Sequence, residues 1–168
     1  MKIGVSGHQD RDGIDWRWVR DEINRALNEL SHDVIGLSSL AGGADQVFAR
    51  CVLESGWHLI AVIPEADYEE AFDSASDLEE YRALRAKSEI VQLTSARTAE
   101  DSFLNAGKWI VDHSDGIIAV WDGEPAEGLG GTADIVAYAQ ITGKAVLHLD
   151  PIDNVVKGSL ARRRTGAK

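Results

Sequence analysis

Short apolar runs alternate with stretches of helical periodicity along most of this chain. Residues 2–6 (KIGVS), 33–38 (DVIGLS), 58–63 (HLIAVI), 89–93, 116–121 (GIIAVW) and 145–149 predict strands. Between them lie predicted helices. Residues 15–30 place Trp16, Val19, Ile23, Ala26, Leu27 and Leu30 at helical spacing, and 44–55 put Val47, Phe48, Cys51 and Val52 on one face. Residues 99–113 run through Phe103, Leu104, Ile110 and Val111, and 133–142 complete the set. Strands alternating with helices imply a parallel sheet with right-handed crossovers. The central strands are continuous apolar runs, which fits a sheet covered on both faces. The predicted fold is therefore a single-domain, three-layer, doubly wound α/β architecture with a mainly parallel, Rossmann-like sheet.

One stretch breaks the rhythm. Residues 65–80 hold eight acids and no base, anchored by Tyr68, Phe72, Leu78, Tyr81 and Leu84 at its end. Such a run is either the solvated face of one or two short helices or an acidic wall beside a pocket. A wall of that sign repels phosphate and suits a sugar or an amine.

Composition sharpens the class. At 168 residues and 44% hydrophobic, the chain has material for one full core. Its net charge is −11, and the last dozen residues, 157–168, hold five bases and no acid. The preceding 156 residues therefore carry 12 bases against 28 acids, a net −16. The expected division is a ligand domain over 1–150 and a basic tail over 151–168. A body of that sign disfavours nucleic acid as a partner. The lone Cys51, flanked by apolar residues, is expected to be a buried, inert thiol. With no signal-like or membrane-spanning run, a cytoplasmic protein is expected. His8, His32, His58, His113 and His148 are scattered without metal-ligand spacing, so no metal and no cofactor is expected.

Candidate chemistry lies beyond the carboxyl ends of the strands, where open parallel sheets bind ligands. After the first strand come Gly7 and His8. After the second come Gly42, Gly43 and Asp45. After the fifth come Trp121, Asp122 and Gly123, then Gly130, Gly131 and Thr132 opening a helix. Glycines there make tight turns or let a ligand approach the backbone. Unpaired helix N–H groups at the positive end of the dipole form an anion site. Thr132 is either an N-cap or a further phosphate ligand, and Trp121 either packs under the loop or stacks on a base or sugar. Two such loops on one sheet edge favour phosphate binding. Familiar phosphate motifs fit poorly. The loop has no Walker lysine, and six residues separate the fifth strand from the G-x-G-x-x-A match at Gly128, Gly130 and Ala133. Asp134, in the first turn after Thr132, either complements the helix dipole or acts as a catalytic carboxylate.

Taken together, residues 2–150 resemble the SLOG superfamily, the Rossmann-like group that includes the LOG proteins, the DNA-processing protein A family and YpsA-like proteins. The resemblance rests on Gly4-Val5-Ser6-Gly7-His8, on Ala41-Gly42-Gly43-Ala44-Asp45, and on Gly128-Leu129-Gly130-Gly131-Thr132-Ala133-Asp134. It implies a nucleotide or nucleotide-derived small molecule held at the sheet edge, in a sensor or ligand-processing protein, and a homodimer. The alternative it implies is a LOG-like N-glycosidase of nucleoside 5'-monophosphates. LOG enzymes carry Glu where Asp134 stands, and Arg82, Arg85 and Arg97 are candidates for their partner arginine by position only.

Overall fold

The structure, a computed structural model, describes residues 1–30, 33–125 and 131–160. In chain order the strands are β1 (Lys2–Gly7), β2 (Ile35–Ser38), β3 (His58–Ile63), β4 (Glu89–Gln92), β5 (Gly116–Val120), β6 (Ala145–Asp150) and β7 (Val155–Gly158). The helices are α1 (Trp16–Asn28), α2 (Ala44–Glu54), α3 (Ala75–Arg85), α4 (Ala99–His113) and α5 (Thr132–Ile141), with a 3-10 turn at Tyr68–Ala71. The three-layer α/β architecture is as expected. The acidic run resolves into that 3-10 turn and α3.

The sheet order is β4-β3-β2-β1-β5-β6-β7. All pairings are parallel except β6 with β7. The chain winds outward from β1 to β4, then α4 returns it to β5 beside β1. That reversal leaves a crevice between β1 and β5 at their carboxyl ends.

The central strands are largely apolar because alternate residues enter different cores. Ile3, Val5, Leu59, Ala61, Ile118 and Val120 pack with Val19, Ile23, Phe48 and Val52 of α1 and α2. Ile60 and Val62 meet Ala106 and Ile110 of α4, and Ile117 meets Ile135 and Ala139 of α5. Cys51 is fully buried, and burial pushes its thiol up to about 11, as expected of an inert position. Among the described residues, no helix is long and apolar enough to cross a membrane.

The expected boundary at 150 needs correction. Residues 155–158 form β7 antiparallel to β6, and Leu160 is 3% exposed in the main core. The expected basic tail thus includes a strand, with Lys157 paired opposite His148, while 161–168 lie outside the described residues. Leu160→Ala is expected to cost about 2–3 kcal/mol, seen as a lower midpoint in urea unfolding. A midpoint matching the wild type would place Leu160 outside the cooperative unit.

Candidate functional site

Tight backbone packing builds the carboxyl edge of the sheet. At Gly7, the last residue of β1, a Cβ would stand 2.5 Å from Ala44 Cβ and 2.8 Å from Val120 Cβ. Only glycine lets α2 and β5 close on the strand end. Gly43 has φ +74° and ψ −123°, a conformation for glycine alone, and a Cβ there would collide with the Gln9 carbonyl oxygen. This approach allows the Ala44 N–H to donate to the His8 carbonyl at 3.0 Å. Gly42 is buried against Asp77 of α3, whose Oδ2 would lie 2.5 Å from an added Cβ. Neither Gly42 nor Gly43 lines the cavity. The close approach their glycines serve is of protein to protein.

The β2–α2 loop is organised by a buried carboxyl. The Ser38 hydroxyl and the Ser39 N–H both donate to Asp45 Oδ2 at 3.1 Å, and the Leu40 N–H donates to Ser38 Oγ at 3.0 Å. Leu40 is held at φ +59° with its side chain fully buried. A left-handed leucine costs of order 1–3 kcal/mol, which burial of the side chain offsets. Burial raises the Asp45 pKa from 3.8 to about 7, against the lowering effect of its hydrogen bonds.

A cavity of about 360 Å³ lies over this edge, on the β2 and β3 side of the switch point. Its polar lining includes Ser6, Gln9, Ser39, Asp45 and Thr132, with Gly7 and Gly131. The rest is largely apolar and aromatic, with Pro64, Tyr68, Phe72, Phe103, Ile110 and Ile135. Tyr68 meets Phe72, Tyr81 and Phe103 edge-on, with ring centroids 5.2, 5.5 and 5.9 Å apart. The acidic run thus supplies part of the pocket wall, but through its aromatics. Several of its acids are turned outward: Glu69 pairs with Arg82 at 2.5 Å and Glu80 with Arg50 at 2.9 Å. Tyr68 and Phe72 carry a detectable sequence signal, as the apolar anchors of an otherwise charged stretch. Phe103 carries none beyond helical periodicity.

Of the expected site residues, Gly7, Asp45, Gly131 and Thr132 meet at this cavity. Gly131 is the N-cap of α5 and Thr132 its first residue, so the threonine is not the cap. Asp134 sits in the first turn of α5 but does not line the cavity. Gly130 lies outside the described residues.

The remaining expected residues form a second cluster on the other side of β1. His8 Nε2 lies 3.1 Å from Asp122 Oδ1, and the Glu124 N–H donates to the same oxygen at 3.1 Å. Asp122 Oδ2 faces the Arg11 guanidinium as an ion pair without a well-directed hydrogen bond. Burial alone would raise the Asp122 pKa. The Glu124 N–H, His8 and Arg11 outweigh it and hold the carboxyl below its ordinary value. Trp121 packs at a tilt over His148, with ring centroids 5.2 Å apart, and donates through Nε1 to the Glu124 carbonyl at 2.7 Å. It packs under its loop and away from the cavity. Gly123 is exposed, with φ +88° and no neighbour around an added Cβ.

No family model and no curated protein matches this chain. Solved structures do. DNA processing protein A from Helicobacter pylori, described for its single-stranded DNA binding mode, superposes with a TM-score of 0.63 at 15% identity, over 89% of this chain and 65% of that one. DNA processing protein A from Streptococcus pneumoniae gives 0.62 at 19% identity, over 89% and 50%. These likenesses show a shared fold, a Rossmann-like α/β domain on a mostly parallel sheet. A structural-genomics target, TM1055, gives 0.54 at 17% identity, over 86% of this chain and 71% of that one. The chain described here spans 65% and 50% of the two DNA-processing proteins it matches.

This overturns one expectation. Nucleic acid was disfavoured as a partner on the net charge of the body, yet the same fold serves a protein described as binding single-stranded DNA. The physical reason is that net charge sums over the whole surface, whereas a phosphate responds to the N–H groups and charges within a Debye length of it.

Proposed function

We propose that this chain binds a nucleotide or nucleotide-derived ligand in the cavity at the carboxyl edge of its sheet, as a sensor or ligand-processing protein. The observation that carries this reading is the capping pattern. Helices α1, α3 and α4 are capped by the side chains of Asp15, Ser74 and Thr98. Helices α2 and α5, which begin at the cavity, have glycine N-caps and no side-chain cap. Asp45 occupies the start of α2, so the Gly131–Thr132 end of α5 is the place for the phosphate. The ligand's nucleotide unit is free or is the end of a single strand.

The test is thermal unfolding with nucleoside monophosphates, cyclic nucleotides and a short 5'-phosphorylated single strand. A ligand at 100 times its Kd adds about 2.7 kcal/mol, which is roughly 5–10 °C at this size. Thr132→Glu, which sets a carboxylate where the phosphate would sit, is expected to abolish the shift. A melting temperature unmoved by every one of these compounds overturns the reading. Analysing the same mixtures for released base tests ligand processing.

A further inference from the structure

We propose that the Tyr68–Phe72–Phe103 wall is a nucleobase subsite, so that the cavity grips a single base whose phosphate lies toward Gly131 and Thr132. The phosphate's placement rests on the reading above, but the base subsite has its own support.

Tyr68 is 5% exposed and acts as a buried post with Phe72 and Phe103 leaning on it edge-on. Phe72 and Phe103 are only half-buried and line the cavity. Pro64, Ile110 and Ile135 add further apolar surface to the lining. A phosphate gains little from such a surface and a sugar less than a base, because a flat aromatic ring gains both burial and stacking. Neither Lys nor Arg lines the cavity among the described residues, so charge does not supply the affinity on this side. The wall comes from two separate segments, the 3-10 turn with its following Phe72 and the first turns of α4. Tyr68 fastens them together. A volume of about 360 Å³ is at the low end for small-molecule sites, which suits one nucleotide unit.

The test separates base from phosphate by measuring affinities for ribose 5-phosphate, a nucleoside, a nucleoside monophosphate and a dinucleotide. The monophosphate is expected to bind about 5- to 150-fold tighter than ribose 5-phosphate, the span that stacking of one base supplies. Phe72→Leu/Phe103→Leu is expected to erase that gain and leave ribose 5-phosphate affinity unchanged, with Phe103→Tyr keeping the gain because it keeps the ring. The dinucleotide is expected to match the mononucleotide. A gain that survives the double leucine variant, or no gain at all, overturns the base subsite. If ribose 5-phosphate fails to bind while the nucleoside binds through the wall, the phosphate assignment falls and the base subsite stands. A 5'-phosphorylated single strand competing with the monophosphate identifies the source as a strand end, and failure to compete identifies a free nucleotide.

Discussion

Gly43→Ala is expected to lower the melting temperature by roughly 10 °C, from a loss of about 3–5 kcal/mol. Two costs combine. The first is conformational: φ +74° with ψ −123° is open to glycine and strained for alanine. The second is steric, because the new methyl group would fall on the carbonyl oxygens of Gln9 and His8. Relief requires the β1–α1 loop to withdraw, which breaks the hydrogen bond from the Ala44 N–H to the His8 carbonyl. Gly56 offers an internal control, since it has the same φ of +74° with nothing within 4 Å of an added Cβ. Gly56→Ala should therefore show a conformational cost alone, near 1 kcal/mol. Equal losses in the two variants would show that the contact between the two loops is not important to stability.

Asp45→Asn is expected to make stability less sensitive to pH. The folded-state pKa, raised from 3.8 to about 7 by burial, means that the folded chain holds a proton the unfolded chain releases. The carboxyl's contribution is therefore fully present below about pH 4 and is lost as pH rises through about 7. Asparagine keeps an acceptor for the Ser38 hydroxyl and the Ser39 N–H but does not titrate. Between pH 4 and pH 8 the wild type should lose roughly 3–4 kcal/mol relative to the variant. Urea unfolding of both proteins at several pH values measures the gap, and a gap constant across that range would refute a buried, protonated Asp45. The same carboxyl makes the cavity compatible with an anion at neutral pH, because a half-neutralised Asp45 repels phosphate less than a full charge does.

Much of the molecule was legible in the order of its residues. The runs at 58–63 and 116–121 identified strands covered on both faces because every residue in them after His58 and Gly116 is apolar. The alternation with helices then dictated a parallel sheet, and hence an edge where ligands bind. Strand β7 escaped because Val155-Val156 is a short apolar pair followed by a lysine, with all four strand residues exposed. It is a strand only because β6 offers an edge to pair with.

The candidate site divided along the same line. Gly131 and Thr132 announced a helix start, and the structure places that start, without a side-chain cap, at a cavity. Gly42 and Gly43 announced a close backbone approach equally well, but what approaches is Asp77 and the β1–α1 loop. A glycine's sequence signal is the same whether the neighbour is a ligand or the protein itself. His8 and Asp122 were placed at the edge by their strands, and only the parallel pairing of β1 with β5 joins them to each other instead of to the cavity.

By itself, then, the sequence determined the layers, the strand polarity and the edge where chemistry belongs, since hydrophobic periodicity and helix starts are local properties. The tertiary structure alone decided which edge residues share a cavity, that burial pushes the Asp45 carboxyl up to about 7, and that Phe72 and Phe103 meet on Tyr68. Burial and ring contacts depend on residues distant along the chain, and no local pattern encodes them.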